Sequence, residues 1–275
     1  MTELIKQAAE IIRDSDAIFI SAGAGMGVDS GLPDFRGNKG FWKAYPLLEE
    51  EGLSFQDLAN PAWFESDPCR AWGFYGHRFN LYQSTTPHKG FTILKKWCDS
   101  KSLKPFVFTT NVDGHFQKAG FAVEQICEYH GSIHHLQCVK SCNNNIWQIS
   151  KLDLEIDANT LRAEGELPCC SNCGEIARPN ILMFNDFSWL PARSTQQNRL
   201  FESWVVLNSN LSIAAIEIGA GKAIPTARYV SESMSSKLIR INPRDADGPE
   251  GTISLSLGSL EALSAINELL NTTIN

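Results

Sequence analysis

Ala22-Gly23-Ala24-Gly25-Met26-Gly27-Val28-Asp29-Ser30-Gly31-Leu32-Pro33-Asp34-Phe35-Arg36-Gly37 is the stretch from which the rest of the chain is read. It comes after Ala17-Ile18-Phe19-Ile20, a short apolar run with the character of a fully buried strand. A strand that runs into Gly23, Gly25 and Gly27 is a junction where backbone can lie against a ligand. Glycines remove side-chain bulk, and bare N–H groups at such a turn favour a phosphate. The expectation is a dinucleotide pocket. The glycines alone are weak support, because Gly23-x-Gly25 fits G-x-G-x-x-G/A but Val28 fills the third position, and an ordinary tight turn would read the same. Residues 33–36 shift the balance toward a ligand. Pro33 fixes its own φ and restrains Leu32, Arg36 adds a cation, and Phe35 adds a flat apolar face.

The 275 residues suit one large domain or a large plus a small one, long enough to bury a substantial core. Hydrophobic content of 43% and charged content of 20% are globular values. A net charge of −7 argues against general nucleic-acid binding and suits a basic partner such as a lysine-rich tail. No basic segment leads into an apolar h-region, so no signal peptide is expected. No apolar run approaches the roughly 20 residues of a membrane span. The expectation is a cytoplasmic chain, in which eight cysteines need an explanation other than disulfides.

Taken in order, residues 3–14 read as an amphipathic helix before the first strand. From Asn38 to about Gln83 the chain is helical and rich in aromatics, from Phe41 and Trp42 to Phe79 and Tyr82. Aromatics at helical spacing mostly fill a core. Tyr75 and Arg78, three apart, share a helix face. Lys104–Phe108 reads as a second strand, and it ends in Thr109-Thr110-Asn111-Val112-Asp113. Open α/β sheets place ligands beyond such strand ends, although Asn and Asp there also cap helices. Val123–Glu128 reads as a third strand, ending at Tyr129-His130-Gly131 near the same sheet edge. An imidazole there is a natural base near neutral pH. His134 and His135 come next and are placed outside the immediate site. Cys138-x-x-x-Cys142 and Cys170-x-x-Cys173-Gly174 form two thiol pairs suited to a tetrahedral structural zinc, with Cys169 as a rival ligand. Between them Leu152, Leu154 and Ile156 alternate with charge, the pattern of an edge strand of this module. Strands are expected at 211–218, 237–242 and 253–257, with a helix near 193–206 and a last helix capped by Ser259. Strands alternating with helices imply an α/β fold with a parallel sheet covered on both faces.

Together these motifs resemble the sirtuins, the NAD-dependent protein lysine deacylases. The opening stretch is similar to G-A-G-x-S-x-x-S-G-I-P-D-F-R-G, and Thr109–Gly120 to T-Q-N-I-D-x-L-x-x-x-A-G. His130-Gly131 looks like the catalytic histidine motif. Ala177–Asp186 resembles L-R-P-x-V-V-W-F-G-E, and Gly219-Ala220-Gly221 the G-T-S turn. Departures fall at Gly27 for Ser, Thr110 for Gln and Asn185-Asp186 for G-E. The resemblance implies a Rossmann-like part at about 1–37, 84–130 and 181–275. It implies a small part at about 38–83, helical, and 131–180, the zinc module. It implies NAD held by Ala22, Gly23, Ala24, Gly25, Asp34, Phe35, Arg36, Thr110, Asn111, Asp113, Gly219, Ala220, Gly221 and Asn242. The acyl-lysine carbonyl oxygen would attack the nicotinamide ribose, and His130 would then deprotonate a ribose hydroxyl, with Asn111 and Asp113 assisting. Ala59, Tyr75, Arg78 and Phe184 would contact an acylated lysine of a protein or peptide. Tyr75-x-x-Arg78 is similar to the pair in sirtuins that remove acidic acyl groups such as succinyl. An Arg fork suits a carboxylate, although Y-x-x-R is common by chance. The changed pocket residues motivate one rival, an NAD glycohydrolase or mono-ADP-ribosyltransferase; a second, a non-catalytic NAD or ADP-ribose sensor, is opposed by the intact His130, Asn111 and Asp113.

Overall fold

The computed structural model describes residues 1–33, 38–234 and 237–272. The chain begins with α1 (Thr2–Asp14) and β1 (Ala17–Ala22), then a 3₁₀ segment over Ala24–Ser30. Five helices come next: α2 (Asn38–Ala44), α3 (Pro46–Glu50), α4 (Phe55–Leu58), α5 (Trp63–Ser66) and α6 (Pro68–Ser84). Then come α7 (Lys89–Asp99), β2 (Phe106–Thr109), α8 (His115–Lys118) and β3 (Ile126–Glu128). After these are five short strands: β4 (Gly131–Cys138), β5 (Ile146–Gln148), β6 (Glu155–Asp157), β7 (Arg162–Glu164) and β8 (Ala177–Ile181). The chain closes with α9 (Ala192–Leu207), β9 (Ile213–Ile218), α10 (Thr226–Met234), β10 (Leu238–Ile241), β11 (Ile253–Leu255) and α11 (Ser259–Thr272).

The six-stranded sheet runs β3-β2-β1-β9-β10-β11, and every pairing is parallel. This is the Rossmann-like α/β fold expected. Its inner strands are buried at every position, which is why they read as continuous apolar runs and not as alternation. Ile18 and Ile20 pack with α1, α7 and α11 on one face, while Phe19 meets Phe201 of α9 on the other. The chain builds outward from β1 to β3, then returns to lay β9 on β1's other side. That reversal opens a crevice beyond the carboxyl ends of β1 and β9. Gly23 and Gly219 are the residues just past those two ends.

A second apolar cluster joins the aromatic helices to the smaller strands. Phe41, Trp72, Phe74 and Tyr75 pack with Ile133, Leu136, Leu161 and Ala163. β4 pairs antiparallel with β5 and with β8, whereas β6 and β7 form a separate hairpin. The alternation at 152–156 therefore marks no edge strand of the cysteine module. β6 is only three residues long, and its hairpin rests on α6, where a Cβ at Gly76 would lie 2.9 Å from Ile156 Cδ1. At Gly73 the approach is closer still, 2.0 Å from the Leu161 carbonyl oxygen. Position 73 must be glycine for the hairpin to dock. The third expected strand also starts late, at Ile126, after a 3₁₀ turn over Val123–Gln125.

The start of α11 depends on a distant residue. Asp29 Oδ2 accepts from the Ser259 hydroxyl and from the Leu260 amide, both at 2.7 Å. The expected cap, Ser259, is the donor in this pair, and the carboxylate comes from the glycine stretch. No described helix is long and apolar enough to cross a membrane.

Candidate active site

The crevice holds a cavity of about 760 Å³ that extends from the glycine stretch to α4, α6 and the turn after β8. At its sheet end two loops meet backbone to backbone. A Cβ at Gly23 would sit 2.8 Å from Ala220 Cα, and one at Gly219, where φ is 65°, would sit 2.4 Å from the Met26 nitrogen. The glycines are thus needed for the loops to touch. Their amides are not bare, contrary to the expectation from sequence. Gly23 N–H donates to the Ile218 carbonyl and Gly25 N–H to Gly219, each at 3.0 Å. Gly23, Ala24, Ala220 and Gly221 line the cavity, whereas Ala22, Gly25 and Gly219 stand behind the wall. Asp34, Phe35 and Arg36 lie outside the described residues.

Polar residues at the strand ends are tied to main chain. Thr110 N–H donates to the Ala22 carbonyl at 3.1 Å, and Asn111 Nδ2 donates to the Gly23 carbonyl at 3.0 Å. Asp113 accepts from the His115 amide at 2.9 Å, as a residue opening α8 would. Capping and site lining are not alternatives here, because Asn111, Asp113 and Thr110 all face the cavity as well. Asn242 does not. It is fully buried, donates to the Ala220 carbonyl at 2.8 Å and accepts from the amides of Arg244 and Asp245. It supports the Gly219–Gly221 loop from below.

His130 comes after β3 and lines the cavity beside Thr110 and Asn111. Its carbonyl accepts from Leu182 N–H at 2.9 Å. Gly131 behind it has φ 86°, and a Cβ there would lie 2.0 Å from the Asn180 oxygen, so β8 can press close and hold His130 in place. Burial lowers the His130 pKa from the usual 6.5, partly offset by a hydrogen bond with the Thr110 main chain. The imidazole is neutral at neutral pH and able to take a proton. His134 Nε2 lies 3.0 Å from the Asp113 oxygen, and neither it nor His135 lines the cavity.

The opposite end is built from side chains. Ala59, Phe55, Phe184, Tyr75 and Arg78 line it. Phe184 N–H donates to the Ala59 carbonyl at 2.8 Å, and the Phe184 ring meets Phe55 edge-on at 6.3 Å. Arg78 is 5% exposed and lies within 5.7 Å of the ring centroids of Phe55, Phe74, Tyr75 and Tyr82. Its Nε and Nη2 donate to Tyr82 Oη at 3.1 and 2.8 Å. Tyr75 Oη is buried with no hydrogen-bond partner among the described residues, and burial pushes the phenol up to about 12. Tyr82 is a site residue that the sequence reading does not single out. Its place four residues after Arg78 on one helix is the available signal.

The cysteines converge away from the cavity. The Sγ atoms of Cys138, Cys142, Cys170 and Cys173 all lie within 4.8 Å of one another. Cys138–Cys173 and Cys142–Cys170 are each 3.6 Å apart. Sulfurs bound tetrahedrally at the usual Zn–S length stand roughly 3.8 Å apart, so the set is compatible with a structural zinc. The long Cys138–Cys142 spacing is taken up by a turn in which Ser141 has φ 46°. Cys169 turns away, its thiol on the Leu167 carbonyl.

The sequence profile of the Sir2 family matches residues 23–207, more than half of the chain. The chain belongs to the Sir2 family. An NAD-dependent protein deacylase of Aeropyrum pernix is 29% identical over 184 residues, covering 67% of this chain and 66% of that protein. An NAD-dependent protein deacetylase of Saccharolobus solfataricus is 32% identical over 181 residues, covering 66% of this chain and 65% of that protein. In both, the match spans just under two thirds of the relative's own length. A solved complex of a Sir2 homologue mutant with 2'-O-acetyl ADP ribose superposes with TM-score 0.69 at 22% identity, covering 99% of this chain and 97% of that one. At that identity the superposition speaks for the fold.

Two of the three departures from the Sir2 pattern have local causes. Gly27 is buried against Leu32, whose Cδ1 lies 2.9 Å from where a Cβ would stand, so Leu32 fills the space of the missing side chain. Asn185 has φ 55°, a left-handed conformation that glycine adopts freely and Asn tolerates better than most residues. Asp186 beside it pairs with fully buried Arg178 at 2.7 Å and accepts from the Ser188 amide, which fixes the turn that carries Phe184. Nothing in the structure accounts for Thr110 in place of Gln.

Proposed function

We propose that this Sir2 protein removes acyl groups from protein lysines with NAD and one water as co-substrates, releasing nicotinamide, the free lysine and O-acyl-ADP-ribose. The observation that carries the reading is that a neutral imidazole, the strand-end residues Asn111 and Asp113, and an apolar channel all border one cavity. The touching loops after β1 and β9 would seat the dinucleotide at the sheet's reversal point. NAD would supply the leaving group, nicotinamide. Asn111 and Asp113 would orient that end, their side chains held by the main chain of Gly23 and His115. Ala59 and Phe184 would flank the acyl-lysine and keep water from the reacting centre. His130, kept uncharged by burial, would accept a proton from a ribose hydroxyl. The four thiolates leave no open position on a metal, so zinc would serve architecture. It would support the small part, assigned to about 38–83 and 131–180, against the Rossmann-like remainder.

We further propose a preference for acidic acyl groups such as succinyl. A guanidinium inside an aromatic channel is a strong site for a carboxylate, and the buried Tyr75 hydroxyl, without a hydrogen-bond partner among the described residues, could donate to it. Mass spectrometry of products from NAD with acetylated and succinylated peptides tests both proposals. Deacylated peptide with O-acyl-ADP-ribose, formed faster from the succinyl substrate, is expected. Free ADP-ribose with the peptide untouched would favour the glycohydrolase reading and overturn the deacylase one.

A further inference from the structure

His88 ties the glycine stretch to α7. It caps that helix, its Nδ1 accepting from the Gly90 amide at 3.0 Å. Its Nε2 lies 2.9 Å from the Met26 carbonyl oxygen, and its own amide donates to Ser30 Oγ at 2.9 Å. The two ring contacts set the tautomer. Gly90 brings a donor and Met26 an acceptor, so the proton sits on Nε2 and the ring is neutral. We infer that His88 is a positioning residue for the dinucleotide: its Nε2–H holds the Met26 carbonyl, and through Met26 it sets the Gly23 backbone at the cavity. This role rests on the proposed seating of NAD against the touching loops.

Three observations support it. Met26 stands where the loops meet: its N–H donates to the Gly23 carbonyl at 3.0 Å, and its nitrogen is 2.4 Å from where a Cβ at Gly219 would stand. The Gly23 carbonyl also accepts from Asn111 Nδ2, so a shift of Met26 is felt at two residues that line the cavity. The second observation is that α7 makes room for the ring. A Cβ at Gly90 would lie 2.4 Å from His88 Cε1 and 2.8 Å from Nδ1. Alanine would suit a helix better, so the glycine serves the imidazole. The third is the ring's surroundings. It is 8% exposed, Phe91 meets it edge-on at 5.0 Å, and α11 brings Leu263 to the same space above Gly90. Asp29 of the glycine stretch is the charged group that acts on it. Burial lowers the His88 pKa from the usual 6.5, partly offset by the Met26 bond and by Asp29. Acid would put a proton on Nδ1, setting a donor against the Gly90 donor and dislodging the ring from Met26.

Two variants separate capping from positioning. H88N keeps an acceptor for the Gly90 amide, since Asn is a strong N-cap, but its shorter side chain does not reach Met26. G90A keeps the imidazole and pushes it off its seat. The test measures NAD binding by calorimetry for wild type, H88N and G90A at about pH 7.5 and about pH 5, on either side of the ordinary histidine value. A thermal melt checks each fold. At the higher pH both variants should bind NAD about three- to tenfold more weakly, the scale of one hydrogen bond, and melt near the wild-type temperature. Lowering the pH should weaken wild-type binding by a larger factor than H88N binding, because only the wild type has the His88 bond to lose. Wild-type affinity in both variants, loss in only one of them, or parallel pH dependence in wild type and H88N would overturn the His88 role and leave the NAD seat standing. Wild type that binds no NAD would overturn the seat and this role together. If either variant melts far below wild type, the pair is structural and the proposal fails.

Discussion

The two ends of the cavity are made of different materials. At the sheet end, the wall is set by main chain: two glycine loops touch, and Asn111, Thr110 and Asn242 spend their hydrogen bonds on neighbouring carbonyls. At the helical end it is set by side chains: Arg78, Tyr75 and Tyr82 from α6, with Phe55, Ala59 and Phe184 around them. Main-chain geometry tolerates no substitution that adds a Cβ but makes few sequence-specific contacts. Side-chain geometry can be retuned one residue at a time without moving the sheet. The contrast suits one end that takes an invariant ligand and another that distinguishes among acyl groups.

The contrast is sharpest at the point where the ends meet. His130→Ala should cut acyl transfer by about 10²–10⁴-fold, the usual range for losing a general base, while dinucleotide binding by calorimetry persists. Binding and turnover lost together, with the fold intact, would mean that His130 belongs to the sheet end alone. Next in size, Arg78→Met should lower succinyl-peptide kcat/KM by about thirtyfold or more, as expected when a buried charge loses its partner. Acetyl turnover should hold. Gly219→Ala should weaken dinucleotide binding by about tenfold or more, because φ 65° and a 2.4 Å approach both oppose a Cβ. It should do so for any acyl substrate alike, and a substrate-selective effect would erase the division between the ends.

The smallest effect concerns acid. Burial lowers the pKa of His77, His88, His115, His130 and His135, the last to about 4. In the unfolded chain these groups titrate near about 6.5. Below that value the unfolded state binds more protons than the folded one. Stability should rise with pH up to about 6.5 and be lost as pH falls below it. Melting temperatures from pH 7 to 5 should decline by several degrees, and His135→Gln should flatten part of the slope. These histidines lie in both halves of the molecule, so a slope carried by one half would separate them.

The same division governs how much of the molecule is legible in its sequence. The strands are legible because both faces are covered, which leaves uninterrupted apolar runs. Gly23, Asn111, Asp113 and His130 are legible because each closes such a run. The purpose of the glycines is not, since the partner loop at Gly219 is nearly two hundred residues away and no local pattern reveals a backbone contact. The hairpin at 155–164 escapes for a similar reason. Its alternation is real, but what it rests on is Gly73 and Gly76 of α6, whose smallness looks ordinary in a linear reading. Tyr82 is hidden among aromatics that mostly fill the core. The choice of Cys170 over Cys169 needs the turn at Gly174 to be seen.

Asp29 reaches Ser259 across 230 positions of chain. Contacts this distant form late, because the intervening loop must be closed first. During synthesis, the glycine stretch waits for residue 259, 230 positions later, to leave the ribosome before this anchor exists. A nascent polypeptide released short of residue 259 would keep the strands and the imidazole yet lack that tether, and so would emerge with its glycine stretch unanchored.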